Sequence, residues 1–235
     1  MGQSEKYNLE IGNNPSGSIG LILSHIREGS SVLECGCATG YMTKHMKEKL
    51  HCNVSIVEID RECVEKAKEY ADDWYCGDLE EEKWFRYFDQ VGCYDYILFS
   101  DVLEHLRKPL EALKKAERLL GYNGKVIISI PNICHNDIVI RMINNHWQYT
   151  NLGLLDNTHI HFWGVNDLAP FVGQAGLKIS SYEAVVIPTQ HTEQRLPWKI
   201  DENDELVKLL KANNKYGEVY QWVIVCEKGR DKHEE

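Results

Sequence analysis

The chain has 235 residues, 43% apolar and 26% charged, which is ordinary for a globular protein and long enough to bury a substantial core. Its 36 acids against 26 lysines and arginines give a net charge of −10, which opposes the basic face that a broad nucleic-acid footprint requires. No apolar run reaches the roughly 18 residues that span a bilayer, and the polar start at Met1–Lys6 lacks the apolar core of an export signal, so a cytoplasmic location is expected.

Asn13–Ser18 precedes the first helix and is a candidate cover for a site. Ser31–Glu34 is an apolar run ending in an acid, followed by Cys35 and the turn Gly36-Cys37-Ala38-Thr39-Gly40, and helical spacing begins at once over Gly40–Leu50. Val54–Glu58 is a second buried strand, and Arg61–Ala71 a second helix. Tyr94–Ser100 and Lys125–Ile130 are two more strands, separated by a helix at Pro109–Leu120 that Pro109 opens and Gly121 and Gly124 close. Alternating strands and helices predict a doubly wound α/β sheet with its ligand at the C-terminal ends of the strands. Asn132–Trp163 breaks the pattern. It is polar and aromatic, and reads as a cap inserted after the fifth strand. Asn166–Gly176 is a short helix and Leu177–Ile187 a strand. Pro188–Asn214 is irregular, helical at Glu205–Lys211, and long enough to serve as a lid. Glu218–Cys226 is the last strand, before a charged tail. With no repeat or linker, one domain over 1–235 is expected, its core at about 15–187. The eight cysteines are expected to stay reduced, because no second closely spaced pair joins Cys35 and Cys37 to complete a zinc site.

A strand, a glycine turn and a helix N-terminus place a ligand against bare backbone. Gly36 and Gly40 permit that approach, and the turn Gly36-Cys37-Ala38-Thr39-Gly40 lacks the middle glycine of a dinucleotide fingerprint. Glu34, at the strand end, is the candidate partner of a cationic group. Glu58, or Asp60 two residues on, is placed to accept ribose hydroxyls. Ile59 would pack on a base, and Asp78, followed by Leu79, would accept from its exocyclic amine. The recurrence of these acids after successive strands points to S-adenosylmethionine rather than a dinucleotide.

These residues resemble the class I S-adenosylmethionine-dependent methyltransferases. The resemblance runs through Tyr94–Leu106, which includes Ser100, and through Leu119–Lys125 and Ile128–Asn132, over roughly residues 15–180. It implies a Rossmann-like seven-stranded sheet whose last strand is antiparallel. The segment Tyr149–Trp163, with its G-L-L-D-x-T-H core, resembles a subgroup found beside or fused to glycosyltransferases. That likeness implies methylation of a sugar or glycan hydroxyl in polysaccharide assembly, with a glycosyltransferase as possible partner. Fold and cofactor do not set the acceptor, so a quinone precursor, another small metabolite or an RNA 2′-hydroxyl stays open, as does a non-catalytic cofactor-binding module.

A sugar hydroxyl is a very weak acid, so a base or a metal is needed beside it. Asp101, Glu104 and His105 are spaced i, i+3 and i+4, and a helix there would turn all three the same way. His105 is then a candidate base, with Asp101 or Glu104 orienting it, and His159 is a second candidate. The D-x-x-E-H run with a later histidine also resembles the plant small-RNA 2′-O-methyltransferases, where E-x-x-E-H and a histidine four residues before a tryptophan hold magnesium. His159 precedes Trp163 by four, while Asp101 replaces the first glutamate. Two carboxylates and two imidazoles suit Mg²⁺, Mn²⁺ or Fe²⁺ better than structural Zn²⁺. Trp147, Tyr149 and Trp163 are candidates for stacking on a sugar face, and Arg141 for pairing with a phosphate or for a surface salt bridge.

Overall fold

The computed structural model describes residues 17–88, 94–192, 201 and 203–229. In chain order these form α1 (Ser18–Ser24), β1 (Ser31–Cys35), α2 (Tyr41–Glu48), β2 (Asn53–Glu58), α3 (Arg61–Ala67), β3 (Asp73–Cys76), α4 (Lys83–Phe88), β4 (Tyr94–Ser100), α5 (Pro109–Leu119), β5 (Leu120–Pro131), α6 (Asn136–Ile143), α7 (Val165–Gly173), β6 (Leu177–Val186), α8 (Glu205–Asn213) and β7 (Val219–Lys228). Two 3₁₀ turns, Leu103–His105 and Thr189–His191, complete the list of elements.

The strands make one seven-stranded sheet in the order β3-β2-β1-β4-β5-β7-β6. β1 to β5 pair in parallel, and β7 lies antiparallel between β5 and β6. This is the expected α/β architecture with its antiparallel last strand. The order reverses at β1, so the ends of β1 and β4 border the crevice where such sheets take ligands.

Strand side chains alternate between two cores. Leu33, Val57, Ile97, Phe99 and Ile128 face one layer with Trp84, Phe88 and Leu113. Val32, Ile56, Leu98 and Ile127 face the other with Ile22, Met42 and Met46. Both faces are covered, which is why the parallel strands read as continuous apolar runs.

Several expectations shift. Gly121 and Gly124 do not close α5; they lie inside β5, which starts at Leu120. A Cβ on Gly124 would stand 2.7 Å from the Tyr94 carbonyl oxygen, so the pairing with β4 demands glycine there. β3 and α4 carried no strong periodic signal: β3 is an edge strand of four residues and α4 has six. The candidate cover at Asn13–Ser16 and the stretch 193–200 of the candidate lid lie outside the described residues.

Gly40 opens α2 at φ +83°, and a Cβ there would sit 2.7 Å from Cα and Cβ of Ala67 in α3. Left-handed strain and collision act together. Gly40→Ala is expected to destabilise the fold by about 2–4 kcal/mol in urea denaturation; an unchanged midpoint would show that the α2–α3 approach is looser than described.

Candidate active site

A cavity of about 530 Å³ opens at the C-terminal ends of the parallel strands, a size suited to a small molecule. Gly36, at φ +78°, forms part of its floor, and a Cβ there would lie 2.5 Å from Cγ2 of Val102. The loops after β1 and β4 therefore meet only because Gly36 is bare. Of the expected cofactor residues, the cavity wall contains Gly36, Glu58, Ile59, Asp60, Asp78, Leu79 and Ser100. It also contains all four expected catalytic residues, Asp101, Glu104, His105 and His159.

Glu58 ends β2 with both oxygens engaged. Oε1 accepts from the amides of Ile59 (2.8 Å) and Asp60 (3.0 Å), and Oε2 accepts from Ala38 (2.9 Å). A carboxylate offers about four acceptor positions, so a ribose meets roughly one unused position and takes a second only by displacing Ala38. Asp60 caps α3 through Glu62 (2.8 Å) and Cys63 (3.3 Å). Asp78 accepts from the Glu80 amide at 2.8 Å, and Ile59 stands exposed at the rim. Glu58, Asp60, Asp78 and Glu80 thus form an acidic wall around a glycine floor. That wall fits the cationic methyl donor implied by the sequence better than it fits a pyrophosphate.

Glu34, Cys37 and Gly40 do not line the cavity. The strand alternation explains Glu34: it shares a face with Val32 and points beneath α2, where it accepts from Thr43 Oγ1 at 2.6 Å. Burial pushes its carboxyl up to about 8. Cys37 is buried and bonds the Ala38 carbonyl, so both residues shape the turn from below.

At the other end, the sequence expectation of one helical face fails. Only Leu103–His105 is helical, as a 3₁₀ turn, and Asp101 sits before it at φ +54°. The Asp101 amide donates to Ser129 Oγ at 3.0 Å, and its carboxylate accepts from Gln221 of β7. Asp101 keeps accessible surface because it opens on the cavity, yet the surrounding protein strips it of bulk water and raises its pKa to about 6. Asp101 is thus held by β5 and β7, while Thr158 meets His105: its carbonyl (3.3 Å) and Oγ1 (3.1 Å) lie against His105 Nδ1, and Oγ1 donates to Asp156 at 2.6 Å.

His159 presents Nδ1 to the Leu154 carbonyl at 3.3 Å and Nε2 to Glu104 Oε1 at 4.0 Å. Carbonyls only accept, so both rings carry their proton on Nδ1 and keep Nε2 as the basic nitrogen. The ring centroids lie 4.8 Å apart. Glu104 is 1% exposed, and neither of its carboxylate oxygens has a hydrogen-bond partner. Burial first, and the Asp101 charge second, drive its pKa well above the usual carboxylate range.

The cap behaves as an insertion after β5. The amides of Ile160 (2.9 Å) and His161 (3.1 Å) donate to the Glu104 carbonyl, tying the cap to the 3₁₀ turn. Trp163 fills the core and stacks on His161 at 5.5 Å, whereas Trp147, Tyr149 and Phe162 form an exposed ring cluster linked to His159 through Phe162 at 6.3 Å. Arg141 serves neither expected role: it is buried and paired with buried Asp137 at 2.6 Å.

Sequence reasoning missed Tyr41, Cys63, Asp156 and Gln221 in the wall. Asp156-x-Thr158 carries a local signal, an Asx-type turn. Gln221 carries none, because only the β5–β7 pairing brings it there.

A methyltransferase domain family model matches residues 17–182. The malonyl-[acyl-carrier protein] O-methyltransferase of Anoxybacillus flavithermus is 28% identical over 104 residues, which are 42% of this chain and 38% of that protein. The chain thus spans well under half the length of that curated relative. An S-adenosylmethionine-dependent methyltransferase from Archaeoglobus fulgidus superposes with a TM-score of 0.61 at 16% identity, covering 91% of this chain and 92% of that one. A Haloferax volcanii methyltransferase complexed with its Trm112 activator gives 0.58 at 13% identity, covering 88% and 85%. These structural likenesses concern the fold. Among the described residues, no helix is long and apolar enough to cross a membrane.

Glu34 supplies a pH test. Its folded pKa, about 8, lies above the ordinary 4.5, so its stabilising share is complete below about pH 4.5 and is lost as pH rises through about 8. Glu34→Gln is expected to remove that share: the stability gap between variant and wild type should widen in the variant's favour from pH 5 to pH 9, by an amount on the order of a few kcal/mol. Urea denaturation at both pH values checks it, and parallel profiles would contradict it.

Proposed function

The chain belongs to the S-adenosylmethionine-dependent methyltransferases, and on that premise we propose that it methylates a neutral hydroxyl, in the first place that of a sugar or glycan. The observation that carries the acceptor class is the charge of the cavity wall. Asp101, Glu104 and Asp156 join the acids of the cofactor end, and no lysine or arginine lines the cavity among the described residues. An acceptor phosphate or carboxylate would enter among these acids with no lysine or arginine to meet it. This disfavours an RNA backbone, and it disfavours the malonyl carboxyl group named in the relative from Anoxybacillus flavithermus. The rings of Phe162, Trp147 and Tyr149 continue from His159 to the surface, a rail on which a sugar face can lie.

In this reading Gly36, Glu58, Ile59, Asp60, Asp78, Leu79 and Ser100 hold the donor, and the buried Glu34, Cys37 and Gly40 fix the turn beneath it. When bound, S-adenosylmethionine supplies an electrophilic methyl on a sulfonium sulfur. His159 Nε2, or its neighbour His105 Nε2, takes the proton as the hydroxyl oxygen gains the methyl. Glu104 offsets the imidazolium charge that results, and the chain Asp156–Thr158–His105 keeps the second ring in register. Leu152 and Gly153 line the same cavity. A glycosyltransferase partner is a further part of this reading, supported by the Tyr149–Trp163 segment.

Release of S-adenosylhomocysteine, followed with neutral saccharides and with their phosphates, checks the acceptor class. Turnover is expected on the neutral set. His159→Gln should lower kcat by about 10²–10⁴-fold while donor affinity holds. Preference for the phosphates, or undiminished turnover of the variant, would contradict the assignment.

A further inference from the structure

We propose that Glu104, His105 and His159 bind a divalent first-row transition ion at the acceptor end of the cavity. One ligand atom from each lies within 4.8 Å of the others. The independent observation is Glu104: a carboxylate 1% exposed, on the cavity wall, whose two oxygens have no hydrogen-bond partner. Buried carboxylates are ordinarily paired, hydrogen-bonded or metal-bound, and His159 Nε2 approaches this one only to 4.0 Å, beyond hydrogen-bond reach.

The surroundings of the two rings match those of ligating histidines, which donate the other ring nitrogen to a carbonyl. His159 Nδ1 meets the Leu154 carbonyl, and His105 Nδ1 meets the Thr158 carbonyl, with Asp156 behind Thr158. Each ring is thereby set in the tautomer with a basic Nε2. The cap segment bearing His159 is bonded, through the Ile160 and His161 amides, to the backbone of Glu104 itself, so the ligand-bearing segments are joined beside the site. Ions with bonds of about 2.1 Å hold adjacent ligands about 3 Å apart, so the cluster tightens by rotation of its side chains rather than by movement of the cap.

Two imidazoles and one carboxylate favour Mn²⁺, Fe²⁺, Co²⁺ or Zn²⁺ over the oxygen-seeking Mg²⁺ and Ca²⁺. The remaining positions face the cavity, where an acceptor hydroxyl lies in the reading above, on which this inference rests. Its oxygen bound to the ion becomes a stronger acid; the proton passes to water, the oxygen–methyl bond forms and the sulfur–methyl bond breaks, leaving a neutral thioether. The imidazoles are then ligands rather than bases.

The full chain, stripped with EDTA, is titrated with Mn²⁺ by calorimetry and electron paramagnetic resonance, and separately with S-adenosylhomocysteine. One Mn²⁺ per chain is expected, with Mg²⁺ at least tenfold weaker. Glu104→Gln, which keeps the side-chain shape, and His159→Gln should each weaken Mn²⁺ tenfold or more while S-adenosylhomocysteine binds as in the wild type; the second variant stands in if the first does not fold. Wild type that binds S-adenosylhomocysteine but no Mn²⁺ overturns the ion and leaves the histidine base standing. Mn²⁺ binding unchanged in both variants, or equal Mg²⁺ affinity, also overturns it. Failure to bind S-adenosylhomocysteine overturns the reading beneath.

Discussion

The contact between Gly36 and Val102 is the constraint on which the site depends. β1 and β4 are neighbours in parallel register, so their following loops leave the sheet side by side. One loop carries the glycine turn, the other runs from Ser100 to His105. A side chain at Gly36 would force them apart, because its Cβ would stand 2.5 Å from a Val102 methyl. Held together, they make the proposed cofactor wall and acceptor wall two ends of one cavity. In-line methyl transfer needs that adjacency, since most of its advantage comes from holding two reactants in a fixed approach.

The cavity's electrostatics follow from the same geometry. Acids end β2, follow β3, and recur after β4 and in the cap, so they converge with no lysine or arginine among the described lining residues. Burial raises the pKa of Glu58, Asp101 and Glu104, which shows the cost of keeping these carboxylates in one partly dehydrated space. Bound positive charge relieves that cost. A sulfonium at one end and a metal ion or imidazolium at the other are the charges such a wall accepts. In the proposed reading the same wall disfavours an anionic acceptor group, so rejection would contribute to specificity beside attraction.

Much of this was legible in the sequence, and the reasons differ by residue. The buried parallel strands show as apolar runs because both of their faces are covered. Gly36 and Glu58 show because turn chemistry and strand ends are local. Glu34 is legible as a strand-end acid, but its direction depends on strand phase, which places it under α2 instead of on the cavity wall. The spacing of Asp101, Glu104 and His105 predicts one helical face, but the left-handed backbone at Asp101 turns it toward Gln221. Arg141 reads from the sequence as a phosphate partner or a surface ion pair because the burial of its i–4 partner, Asp137, has no local signal. Gln221 had no local signal, since it reaches the site only through the antiparallel insertion of β7.

The most direct measurement is a calorimetric titration of the purified chain with S-adenosylmethionine and, in parallel, with NAD. The account predicts one S-adenosylmethionine per chain and no saturable heat from NAD. Saturation by NAD at comparable affinity, or no binding of S-adenosylmethionine, would contradict the claim that the Gly36 turn and the acidic wall form a methyl-donor site.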